Sequence, residues 1–236
     1  MSELSREVEI EPQHTTLLFV DVQKYNCLWD GAEYAGVSAA EKERRYGYFF
    51  RTFKESALPN MVRLQRACRR ARIEVTYTVV ESMTQDGRDR SLDYKITGFH
   101  VPKGSKDAEM VGELAPLPDE MVFPKTSSSV FISTNIDYVL RNLGTRYLII
   151  AGCLTDQCVD SAVRDACDLG YLVTVPTDAV VTQSQERHDW SLRNNRGYCR
   201  QRTTREILDE ITRLTGPPSS AVKADRSRRA RDRGRR

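Results

Sequence analysis

The stretch from Tyr147 to Gly170 restricts the fold of this chain more than any other. Residues 147–153 (YLIIAGC) are apolar almost without interruption and do not alternate, so they read as a strand covered on both faces. After Leu154, Thr155, Asp156 and Gln157, apolar residues return at helical spacing, at Val159, Ala162, Val163, Ala166 and Leu169. Gly170 is placed to end that helix with a left-handed residue. A strand without a polar face needs helices above and below it, which predicts a layered α/β fold. The same pattern puts Cys158 where a strand hands over to a helix N-terminus. Unpaired backbone N–H groups and the positive end of the helix dipole favour an anion there, so a thiolate is stabilised and a developing oxyanion finds donors. A small buried thiol suits the position equally well, and spacing alone leaves both readings open.

The remaining elements support the layered fold. Thr15 to Val22 is a short apolar run with Asp21 at its C-terminal end, and Val75 to Val80 is a second, followed by Glu81. Met121 to Lys125 is a third that ends on a lysine, and Tyr171 to Val175 follows the opening stretch. Helical patterns separate them. Residues 39–57 form one, which Pro59 separates from an apolar stripe at Met61, Leu64, Cys68 and Ala71. Thr134 caps another that Gly144 closes, and Thr203 to Leu214 forms the last. The expected class is a three-layer α/β/α sandwich, Rossmann-like, with a mainly parallel sheet of about six strands. Residues 82–114 are a long polar excursion with five glycines and prolines, the kind that forms a lid or specificity loop.

Length and charge bound the rest. A chain of 236 residues with 39% hydrophobic and 29% charged residues is expected to form one soluble domain with appendages. We place that domain at residues 14–216, after an N-terminal extension (1–13) and before a basic tail expected to be disordered (217–236). The net charge of +3 hides an asymmetry, because residues 223–236 carry eight basic residues and two acidic ones, leaving the remainder mildly acidic. With no aromatic-basic motif beside that tail, nucleic acid is not an expected partner. No apolar run approaches the roughly 18 residues of a membrane span, and the first residues lack the apolar centre of a signal peptide, so a cytoplasmic location is expected. The six cysteines lack zinc-site or disulfide-framework spacing. Apart from Cys158 they are expected to be reduced and structural.

In open parallel sheets ligands bind beyond the carboxyl ends of the strands. That rule brings Asp21, Lys125 and Cys158 to one edge from three strands. A carboxylate, an ammonium and a thiol divide the work of acyl transfer: the lysine and helix N-terminus favour the thiolate, and the carboxylate moves the proton to a leaving nitrogen.

At these residues the chain also resembles the isochorismatase-like cysteine hydrolases, in its amidohydrolase branch. The segments that carry the resemblance are FVDVQ (19–23), PKTSSSVF (124–131) and AGCLTDQCVDSAVRDA (151–166). The resemblance implies that Asp21, Lys125 and Cys158 are the catalytic triad. It also implies that the backbone N–H groups of Leu154 and Cys158 form the oxyanion hole and that the Cys153–Leu154 peptide bond is cis. Metal-dependent nicotinamidases of this family use an Asp and two His, whereas this chain has only His14, His100 and His188, with no such pair after Val80. No metal or cofactor is therefore expected. The implied activity is metal-independent hydrolysis of a small amide or ureide (a ureido acid, a biuret-like or a carbamoylated compound), through a thioester and with release of ammonia. The competing readings are an isochorismate-type enol-ether hydrolase and a non-enzymatic ligand-binding member. Tyr25, Glu81, Ser82 and Gln157 are candidate contacts for a polar substrate head, Arg88 and Lys95 for a carboxylate, and Phe131 for further contact. Relatives often assemble so that a neighbouring subunit covers the site, which implies a homo-oligomer, a dimer or tetramer.

Overall fold

Strand β1 (Thr15–Val20) is buried along its whole length and feeds two cores at once. Leu17 and Phe19 point to one, Leu18 and Val20 to the other. Side chains alternate across a strand, so this pattern is stable only between two covering layers. The structure is a computed structural model and describes residues 4–216. The other strands are β2 (Glu74–Val80), β3 (Met121–Lys125), β4 (Tyr147–Cys153), β5 (Leu172–Pro176), β6 (Val180–Val181) and β7 (Cys199–Arg202). Their order is β3-β2-β1-β4-β5-β7, with β6 beside β4, and every strand pairing is parallel. This is the mainly parallel α/β sandwich that the sequence implies, with seven strands rather than about six. The additional pairing comes from the two-residue β6 and from β7, whose Cys-Arg-Gln-Arg sequence carries no strand pattern.

The helices, in chain order, are α1 (Lys24–Cys27), α2 (Ala39–Thr52), α3 (Leu58–Ala71), α4 (Leu92–Thr97), α5 (Val130–Ser133), α6 (Ile136–Asn142), α7 (Cys158–Asp168), α8 (Gln185–Asn195) and α9 (Thr204–Thr215). Phe49, Met61, Leu64, Ile207 and Ile211 of α2, α3 and α9 cover the Leu17/Phe19 face. Ile136, Leu140, Val159, Ala162 and Val163 of α6 and α7 cover the opposite face. Pro59 does not separate the second and third helices. A π-helical turn, Phe53–Ala57, joins them without a break, and Pro59 falls in the first turn of α3, where the missing N–H costs little. Among the described residues no helix is long and apolar enough to cross a membrane. The basic tail lies outside the described residues.

Register aligns the strand ends that matter. Val20 pairs with Thr78 of β2 and with Gly152 of β4, and Val80 pairs with Lys125. Asp21, Lys125 and Cys153 therefore emerge at one edge. The 82–114 excursion is folded back over that edge: Val111 N–H bonds to Val22 O (3.0 Å), Lys24 N–H to Glu109 O (2.8 Å), and Gln23 Nε2 to Asp107 O (3.1 Å). Gly152 allows β1 and β4 to meet closely at this point. Its φ is 129°, and a Cβ there would lie 2.2 Å from Val20 O. We expect Gly152→Ala to force the two strands apart and to cost about 1–3 kcal/mol or more, measurable as a lowered urea midpoint with an unchanged m-value.

Candidate active site

Asp21 leaves β1 in the left-handed region, at φ 54°, a conformation that a short polar side chain tolerates better than most. Its N–H is accepted by Thr78 O (3.1 Å), and its Oδ1 accepts the Thr78 hydroxyl (2.7 Å). The other oxygen, Oδ2, lies 2.8 Å from Lys125 Nζ but receives no aligned hydrogen bond. Lys125 is completely buried at the end of β3. Its ammonium donates to Ser127 O (2.8 Å), to the Tyr94 hydroxyl (3.2 Å) and toward Cys158 Sγ (3.4 Å). Cys158 is the first residue of α7, and the Tyr94 hydroxyl lies 3.7 Å from its sulfur. The three residues singled out in the sequence therefore meet at the edge of the sheet, with Tyr94 and Thr78 as further partners.

The turn between β4 and α7 completes the arrangement. The Cys153–Leu154 peptide bond is cis. The backbone N–H groups of Leu154 and Cys158 find no acceptor among the described residues. The Leu154 carbonyl is used instead, accepting from Gln157 N (3.1 Å) and Val159 N (3.2 Å). Cys153 is held below the site, its thiol donating to the Asp21 carbonyl (3.3 Å) with Cys27 Sγ beside it at 3.6 Å.

Burial sets the charge state. It pushes the Cys158 thiol up to about 12; Lys125 pulls it down, and Asp21 pushes it up again. At neutral pH the thiol keeps its proton. Lys125 favours the thiolate, as expected from the sequence, but desolvation outweighs that pull. For Lys125 burial acts to lower the pKa, but Asp21 and Cys158 outweigh it and the net shift is upward, so the ammonium stays charged. Burial also raises the Tyr94 phenol, which remains a neutral hydroxyl. The resting site is a carboxylate–ammonium pair next to a protonated thiol.

A cavity of about 730 Å³ opens onto this group, with Asp21, Tyr94, Leu154 and Cys158 in its wall. Of the substrate contacts expected from sequence, Tyr25 and Gln157 line it, and the other five do not. Glu81 accepts from Gly104 N–H (2.6 Å) and pins the loop. Ser82 is buried, its N–H bonded to Val101 O (2.8 Å). Arg88 is exposed and pairs with Asp86 (3.0 Å). Lys95 is exposed on α4. Phe131 packs with the core of the opposite face, its ring 6.1 Å from that of Tyr171. The excursion reaches the site through Tyr94 and Phe99 instead. Tyr94 is the only buried residue of its short helix, and a lone aromatic in a polar stretch was the signal available for it. Thr78 carried none, being one threonine in an apolar strand. The histidines lie apart, His14 against Gly144 O (2.9 Å) and His188 against Thr155 (3.1 Å), and no cluster of three or more His, Cys, Asp or Glu that could hold a metal occurs among the described residues.

Comparison with known proteins gives a consistent picture. The isochorismatase domain matches residues 15–207. An 85-residue stretch is 38% identical to the ureidoacrylate amidohydrolase RutB of Variovorax paradoxus, covering 36% of this chain and 34% of that relative. The chain thus aligns with about a third of that protein's length. Among solved structures, a cysteine hydrolase from Pseudomonas syringae superposes with a TM-score of 0.74 at 23% identity, covering 89% of this chain and 98% of the other. N-carbamoylsarcosine amidase from Thermoplasma acidophilum superposes with a TM-score of 0.60, also at 23% identity, covering 80% and 96%. At these identities the structural likeness establishes the fold.

The charge state carries a test of its own. In the wild type, alkylation of Cys158 by iodoacetamide should be slow at neutral pH and rise with pH beyond the ordinary thiol range. Asp21→Asn removes a charge that opposes the thiolate and leaves the pull of Lys125, so the thiol pKa should fall. Alkylation of that variant at about pH 8 should be several-fold faster than in the wild type, read by mass spectrometry of the Cys158 peptide.

Proposed function

The chain belongs to the isochorismatase family, and on that footing we propose that it is a metal-independent cysteine amidohydrolase. Its substrate in this reading is a small amide or ureide, cleaved at the C–N bond through a thioester with release of ammonia. The observation that carries the proposal is the placement of Asp21 Oδ2. Oδ1 is committed to the Thr78 hydroxyl, whereas Oδ2 lies 2.8 Å from the Lys125 ammonium, which also reaches Cys158 Sγ (3.4 Å), so this oxygen is the one in place to take and return a proton.

In the first half-reaction the Cys158 thiol gives its proton to Asp21 Oδ2 as Sγ attacks the carbonyl carbon. The carbonyl oxygen gains the negative charge, for which the N–H groups of Leu154 and Cys158 are the nearest unused donors. Collapse breaks the C–N bond, and the leaving nitrogen takes the proton from Asp21 and departs as ammonia. The acyl group remains as a thioester, or as a thiocarbamate when the substrate is a ureide. In the second half-reaction Asp21 takes a proton from water, hydroxide adds to the same carbon, and the C–S bond breaks. The thiolate recovers the proton and the acid is released. Lys125 keeps its charge throughout and offsets whichever of Asp21 or Cys158 is anionic. A neutral resting thiol fits this cycle, because thiolate forms only as the carbon–sulfur bond develops. The names of two similar proteins, a ureidoacrylate amidohydrolase and an N-carbamoylsarcosine amidase, support a carbamoyl-bearing substrate.

The test is ammonia release from a panel of small amides and ureides. Cys158→Ala and Asp21→Asn should each lower the rate by about a thousandfold or more. Cys158→Ala should keep the circular dichroism and unfolding midpoint near those of the wild type, whereas Asp21→Asn, which leaves Lys125 buried without its counter-ion, should keep the circular dichroism and lower the midpoint. A Cys158→Ala protein that retained its rate would overturn the scheme. Tyr94→Phe removes a hydroxyl that touches both Lys125 and Cys158, and should lower kcat about tenfold with KM little changed.

A further inference from the structure

One wall of the cavity, built from residues 25–34, carries acceptors that the protein itself does not satisfy. Glu33 lies in the short 3-10 turn Ala32–Tyr34 and lines the cavity. It is half-buried and makes no hydrogen bond or ion pair with any described residue. Asn26 on the same wall is 8% exposed. Its Nδ2 donates to Asp21 O (3.1 Å), which fixes the amide and leaves Oδ1 without a partner. The wall is rigidly built: the Tyr34 hydroxyl donates to Asn26 O (2.7 Å), and a Cβ on Gly31 would lie 2.2 Å from Tyr25 O.

The other charges of the cavity do not complement Glu33. Asp21 is neutralised by Lys125. Arg45 is exposed, lies 3.8 Å from Glu41 and sits over the Tyr46 ring. Asp93 is exposed as well and adds negative charge. Tyr25 of α1 and Tyr34 of the same turn are pushed up by burial, and Cys153 at the end of β4 by its contact with Cys27, with the Glu33 charge adding to each. Burial pushes the Glu33 carboxyl up to about 7, as expected of an acid without donors.

We infer that Glu33 is the specificity residue of this cavity, selecting amides or ureides whose end away from the scissile carbonyl bears an ammonium or N–H donors rather than a carboxylate. A carboxylate tail beside Glu33 would place two like charges in a half-desolvated space, and one would have to protonate. An ammonium pairs with Glu33 and holds it ionised. The inference rests on the amidohydrolase reading for its chemistry but not for its binding, and it departs from the carboxylate-bearing compounds named for the two similar proteins.

Three ureides of matched length test it: (2-aminoethyl)urea, propylurea and N-carbamoylglycine. Turnover is measured with the wild type, and binding by calorimetry with Cys158→Ala. At about pH 8 the cationic ureide should exceed the anionic one by about tenfold or more in kcat/KM and in affinity, with propylurea between them. The preference should shrink as pH falls through about 7 and Glu33 protonates, and Glu33→Gln should remove it while keeping the side-chain volume. Equal or better use of N-carbamoylglycine by the wild type, or a preference unchanged in Glu33→Gln, would overturn the assignment. Preferential binding of (2-aminoethyl)urea without turnover of any ureide would sustain Glu33 and sink the hydrolase reading. Failure of Cys158→Ala to bind any of the three would overturn the role of Glu33.

Discussion

The buried ion pair between Asp21 and Lys125 is the interaction on which the rest of the site depends. Both side chains are almost wholly removed from solvent, at 4% and 0% exposure. Such a pair is expensive, with desolvation of several kcal/mol per ion, and well-packed apolar residues would often stabilise a fold at least as well. It persists here because the surroundings supply what water would have supplied. Thr78 donates to one carboxylate oxygen, while the ammonium is shared among Ser127, Tyr94 and the second oxygen. Removing either charge leaves the other buried and uncompensated, so the sheet edge is built around both together.

That pair also explains why a sulfur can sit beside an ammonium without ionising. Coulomb attraction to Lys125 favours the thiolate, but the Asp21 charge acts with the opposite sign and offsets part of it. Desolvation outweighs the rest, and the proton stays on Cys158. A site of this kind stores no reactive thiolate for adventitious oxidants or alkylators. In the proposed cycle ionisation is coupled to substrate, since the negative charge that leaves the thiol would reappear on an oxygen beside the unused N–H groups of Leu154 and Cys158.

The sequence made the edge that gathers Asp21, Lys125 and Cys158 legible for a topological reason. Apolar runs without alternation imply a parallel sheet, parallel strands share an active end, and a polar residue just past such a run must then lie at that end. Asp21, Lys125 and Cys158 are all of this type. The rule misled at Glu81, which also ends an apolar run, because β2 ends beside Lys125 and the chain there turns away to pin Gly104. Strand β7 was illegible because its Arg200 is buried by a local pairing with Glu210 (3.1 Å), so a charged residue occupies a place where the pattern calls for an apolar one.

Specificity was harder to read than chemistry because it is built differently. The reacting groups are positioned by strand register, which periodicity encodes. The cavity wall is positioned by short turns, a six-residue helix and a folded-back excursion, none of which has a period long enough to announce which side chains face inward. Tyr94 and Phe99 enter the cavity while Arg88 and Lys95, from the same excursion, do not line it. The two levels are nevertheless joined at one point. Asn26 holds the Asp21 carbonyl with its amide nitrogen, leaves its oxygen unpaired, and lines the cavity together with Glu33. In the proposed scheme, the segment that holds the Asp21 backbone is thus the same segment that lines the cavity with Glu33. A substitution within residues 25–34 would therefore disturb the placement of Asp21 as well as the cavity wall, so that the proposed chemistry and the proposed preference would vary together.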